Sequence, residues 1–146
     1  MVGTVWSHGP EFITADVTVA GGAAVPKTYI FNVLTGATAT LPAATGTGHV
    51  YRFIVGLTVT SNAYIVATAS DDDEFRGTIL QTDTDTTDTL ASYPAIAADN
   101  FDAISMNGST TGGLTGDWVE VADVGTGIWA VWGHVNGNGT VTTPIS

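Results

Sequence analysis

The stretch GDWVEVADVGTGIWAVWGHV, Gly116–Val135, decides how this chain is read. Val119 and Val121 point to one side, with Trp118 and Glu120 on the other, the two-residue period of a strand. DVGTG, Asp123–Gly127, has the composition of a turn. Beyond it Ile128, Ala130, Trp132 and His134 share one face, and Trp129, Val131 and Val135 share the opposite one. The stretch is therefore a β-hairpin. Three tryptophans in one hairpin do not all fit easily into the core of so small a domain. At least one of Trp118, Trp129 and Trp132 is expected at the surface or in an interface, where tryptophan is enriched.

Working outward, the same strand grammar recurs. Short apolar runs are separated by Gly, Asn, Asp or Pro, and good helix formers are scarce beside Thr and Val. The expected strands are Ile13–Ala20, Thr28–Leu34, Val50–Gly56, Ala63–Ala69, Gly77–Gln81, Asp102–Met106, Asp117–Ala122, Ile128–Val135 and Thr140–Thr143. Leu34–Thr38 reads as a turn, and NGNG at Asn136–Gly139 as a hairpin turn, because Asn and Gly tolerate positive φ. A helical piece is conceivable only around Asp88–Phe101, and Pro94 limits its length. These spacings predict an all-β fold, an antiparallel β-sandwich or jelly-roll-like barrel with short strands and Gly/Asn turns. Residues 13–146 form a single β domain on this reading. Met1–Phe12, with Val2, Val5, Trp6 and Phe12 among small residues, reads as an N-terminal arm that orders on a partner, or else as a first edge strand.

In HVYRFIVG, both sides of the strand are mostly apolar, which predicts cover on two faces. Arg52 is the exception. It reads as a rim arginine packing its stem on neighbours, or as half of a buried ion pair with Asp117 or another carboxylate, or as a subunit contact.

Charge bounds the partners. Lys27, Arg52 and Arg76 face 14 acidic residues, for a net charge of −11. No basic patch can form to replace nucleic-acid counterions, and anionic lipid would repel the chain. The N-terminus lacks the basic region of a secretory signal, and no window has the apolar length of a membrane helix. With no cysteine, disulfides and thiolate metal sites are excluded.

No reaction centre is marked. His8, His49 and His134 lack metal-ligand spacing, and there is no nucleophile elbow, phosphate loop or dinucleotide fingerprint. TTGGLTG, Thr110–Gly116, reads as a flexible connection. Nine of the 14 acidic residues fall between Asp71 and Asp102, yet the EF-hand pattern is not met, so these side chains are expected in solvent rather than around a cation. The chain is expected to be neither an enzyme nor a cofactor binder.

ATLPAATGTGHVYRFIVGLTVTSNAYIV, then FRGTILQTD, then MNGSTTGGLTGDWVEVADVGTGIWAVWGHVNGNGTVTTPIS together resemble small β-rich virion proteins of tailed bacteriophages. The resemblance covers roughly Tyr29 to the C-terminus, and its motifs are structural. It implies a capsid decoration (cement) protein on the outer capsid surface, commonly trimeric, bound to the major capsid protein. Trp6, Phe12, Arg52, Trp118, Trp129 and Trp132 are the candidate capsid or subunit contacts. The alternative is a module of a tail fibre or spike whose tryptophans stack on a host glycan.

Overall fold

The computed structural model describes residues 9–20, 22, 25–85 and 88–146. Among them there is no helix; eleven strands form two sheets. In chain order these are β1 (Glu11–Ile13), β2 (Val17–Thr18), β3 (Lys27–Phe31), β4 (Ala37–Thr40), β5 (Val50–Val55), β6 (Tyr64–Ala67), β7 (Glu74–Asp83), β8 (Leu90–Ala95), β9 (Ala103–Met106), β10 (Trp118–Gly125) and β11 (Ile128–Gly137). The larger sheet runs β1-β3-β5-β10-β11-β7-β8 and the smaller β2-β4-β6-β9. The all-β, sandwich-like expectation is met.

The sheets are mixed rather than antiparallel, and the chain path explains why. From β1 to β6 the backbone alternates between sheets, so each return to the same sheet restores the same direction. Hence β1, β3 and β5 are parallel neighbours, as are β2, β4 and β6. A local hydrophobic pattern reports which side of a strand is buried, not which strand lies beside it. β7 and β11 also pair in parallel, from Glu74↔Ile128 to Gly137↔Asp83.

Strict alternation builds the core. In β5, Tyr51, Phe53 and Val55 are buried, while Val50, Arg52 and Ile54 are half-exposed on the other side. Tyr29 stacks on Phe53 at 5.5 Å between centroids, and Phe31 stacks on Tyr64 of the smaller sheet at 4.5 Å, tying the layers together. The Tyr64 hydroxyl lies 2.6 Å from the Val33 carbonyl and 2.8 Å from that of Leu57, so its buried polar end is satisfied.

Several local expectations are corrected. Ile13–Ala20 is not one strand: the chain turns at Thr14–Asp16 and changes sheet, and the Asp16 carboxylate accepts the Thr38 N–H at 2.8 Å. Ala37 and Thr38, read as turn, begin β4. The segment with helical potential instead contains β8, an edge strand, where among the described residues no strand lies on the outer side of Pro94 to need a donor. Asn136 and Gly137 extend β11 rather than turning it, and Thr140–Thr143 is not a strand; the chain instead reaches the smaller sheet through the Ile104–Ile145 bridge. Thr110–Gly116 is anchored, because the buried Asp117 carboxylate accepts the Gly113 and Leu114 N–H groups at 2.9 and 3.0 Å. Glu11 and Phe12, assigned to the arm, lie in β1 opposite Tyr29 and Ile30. Met1–His8, including Trp6, lie outside the described residues.

Candidate functional site

The outward face of the larger sheet is assembled by register. One row crosses all seven strands: Phe12, Ile30, Ile54, Trp118, His134, Leu80 and Ser92. The next row is Thr28, Arg52, Glu120, Trp132, Thr78 and Pro94. Beyond it lie Val50, Ala122, Ala130 and Arg76. Alternation that places the aromatic core inside leaves an unusually apolar set outside. Phe12 is 60% exposed, and Leu80 and Trp132 are each 39% exposed. The smaller sheet packs on the opposite, inward face, so no strand among the described residues covers this one.

Arg52 and Glu120 sit directly opposite one another in the middle of this face. The Arg52 Nη2 lies 2.6 Å from Glu120 Oε2, and its Nε donates to the same oxygen at 2.7 Å. The pair is with Glu120, not Asp117. The Glu120 side chain is largely buried, whereas Arg52 is 43% exposed, with its guanidinium 5.9 Å from the Trp118 ring centroid. Arg52, Ile54, Gly116 and Trp118 line an open depression of about 310 Å³. Arg76 is paired in turn with Glu74. Two of the three basic residues thus lie neutralised on this face, which leaves it nearly uncharged on a strongly acidic protein.

The candidate residues divide clearly. Phe12, Arg52, Trp118 and Trp132 share the face. Trp129 does not: it is fully buried on the inward side, 5.9 Å from the Tyr51 ring, and is no part of this surface. Leu80 and Leu90 are exposed and Ile54 is half-exposed on this face, and none carries a motif; only register places them there. His134 Nε2 lies 2.8 Å from Thr82 Oγ1. Among the described residues no group of three His, Asp or Glu side chains could hold a metal ion.

Three buried carboxylates outside this face do structural work. Asp123 accepts the N–H groups of Thr45, Gly46 and Thr47 and the Thr47 hydroxyl, at 2.7 to 3.1 Å. Burial pushes its carboxyl up, but the Thr47, Gly46 and Thr45 donors together outweigh that and hold it below the ordinary range. For Asp117 burial prevails over the bonds from Asn136, Leu114 and Gly113, and its carboxyl is raised. Asp73 of the acidic run is also buried, accepting the Ala44 N–H at 3.1 Å. Comparisons with family models, with curated proteins and with solved structures find no match to this chain.

Proposed function

We propose that this protein is a head decoration (cement) protein of a tailed bacteriophage, which binds the outer capsid surface and strengthens contacts between capsomers. It works by contact and not by catalysis, and it uses no cofactor. The observation that carries the reading is the broad outward face of the larger sheet, apolar and charge-neutralised, on a cysteine-free β scaffold. Such a face suits association with copies of the same chain, whose net charge of −11 would repel contact almost anywhere else. A trimer built through Trp118, Trp132 and Arg52 presents the Phe12 edge, with the segment before it, to the major capsid protein. The resemblance of the sequence to small phage virion proteins points the same way.

The experiment adds purified protein to capsids that lack it and pellets them. The protein is expected to co-sediment and to raise the temperature at which the shell breaks, since binding the intact state stabilises it. Deleting Met1–Phe12, or Phe12→Ala, is expected to weaken binding. Failure of the parent protein to co-sediment overturns the reading. The depression beside Trp118, with Trp132 exposed nearby, favours a second reading, a tail-associated module that stacks a host sugar ring. Binding to host cells or to a glycan array, in place of capsids, would establish it.

A further inference from the structure

Asn-Gly occurs three times in the chain, at Asn107–Gly108, Asn136–Gly137 and Asn138–Gly139. Such a pair can close on itself when the glycine nitrogen attacks the asparagine side-chain amide, since glycine offers no Cβ to obstruct the ring. The fold treats the three differently.

Asn107 is held shut. Its Oδ1 accepts the Ser109 and Thr111 N–H groups, its Nδ2 donates to Thr110 Oγ1, and the Gly108 N–H donates to the neutral Gly112 carbonyl at 2.7 Å. Asn136 lies within β11, with both its side-chain and backbone N–H groups donated to Asp117 Oδ1. Asn138 is exposed, and polar groups contact both its side-chain oxygen and the following N–H. The Gly139 N–H donates to the Asp85 carboxylate at 2.8 Å, which places a base on the nucleophile. The Ser109 hydroxyl donates to Asn138 Oδ1 at 2.9 Å, where it polarises the amide and meets the negative charge that develops on that oxygen. The Asn138 N–H is fixed to the Ser109 carbonyl at 3.0 Å, and the space around Gly139 is open.

We propose that Asn138–Gly139 is a self-modification site, at which the folded protein converts Asn138 to aspartate or isoaspartate. The Gly139 nitrogen bonds to Asn138 Cγ as its proton passes to the Asp85 carboxylate. The Cγ–Nδ2 bond then breaks and ammonia leaves with that proton, giving a succinimide ring. Water opens the ring at either carbonyl, so the net change is amide plus water to carboxylate plus ammonium. Asp85 is the base and Ser109 the oxyanion donor. The product places a new negative charge beside Asp85.

The test is incubation of the intact protein in warm, mildly alkaline buffer, with mass spectrometry and isoaspartate detection on the peptides carrying each Asn-Gly pair. Asn138 is expected to convert ahead of Asn107 and Asn136, and faster than the same residue in urea-unfolded chain. Asp85→Asn is expected to slow the conversion roughly tenfold, and Ser109→Ala severalfold, the gain from positioned proton transfer being modest at an exposed site. Circular dichroism of each variant checks that the fold is kept. The proposal is overturned if Asn138 stays an amide, if the unfolded chain converts as fast, or if either well-folded variant reacts at the parent rate.

Discussion

Removing the Asp123 carboxylate would strand the N–H groups of Thr45, Gly46 and Thr47 at once. Asp123→Ala is expected to cost about 2–3 kcal/mol, read from the urea unfolding midpoint at neutral pH. The pH dependence follows from the lowered carboxyl. An acid held lower in the folded state than its ordinary ~3.9 contributes stability above that pH and loses it as pH falls through the folded value. The gap between parent and variant should therefore narrow below about pH 4. Asp117 runs the other way: raised by burial, its contribution is complete in acid and fades as pH rises through its folded value. The Arg52–Glu120 pair is asymmetric. Arg52→Ala leaves a buried carboxylate without its partner and should cost about 1–3 kcal/mol. Adding Glu120→Ala to that variant should cost less than the two changes made separately, as measured in a double-mutant cycle.

At the scale of elements, β7 and β11 come close enough at Gly77 to admit no side chain. Its φ of +144° is glycine territory, and a Cβ there would be driven into the Val131 carbonyl oxygen. Gly77→Ala should destabilise by about 3 kcal/mol or more, whereas Gly139→Ala, in open space at φ +72°, should cost about 1 kcal/mol. Both are read by denaturant unfolding. Gly77 also marks a limit of the sequence reading. Its strand was legible from the apolar run that follows it, but the need for close approach depends on a strand over fifty residues away. The hairpin of β10 and β11 was legible because both strands and their turn lie in one window. The parallel pairs were not, because their partners are set by the path between sheets. Of the candidate contact surface, Arg52, Trp118 and Trp132 could be singled out as chemically conspicuous residues. Leu80 and Leu90 could not, since an outward leucine in a strand looks like any core leucine until its neighbours are known.

For the whole molecule, the proposed association with copies of the same chain rests on the outward face of the larger sheet. Trp132→Glu with Leu80→Glu is expected to lower the mass seen by light scattering coupled to size-exclusion chromatography, while the far-UV circular dichroism stays that of a β protein. A parent protein that is monomeric at high micromolar concentration would remove the basis for a trimer in solution. The position of the final hairpin has a separate consequence. β10 and β11 lie at the centre of the larger sheet, between β5 on one side and β7 on the other. Until they arrive, the halves made by β1, β3 and β5 and by β7 and β8 have no ladder joining them. During synthesis the edge of β5 is therefore open once Val55 is made and that of β7 once Asp83 is made, and both stay open until β10 and β11 clear the exit tunnel. The hairpin of β10 and β11 acts as a keystone, and until it is in place those open edges are where the unfinished chain is exposed to mispairing.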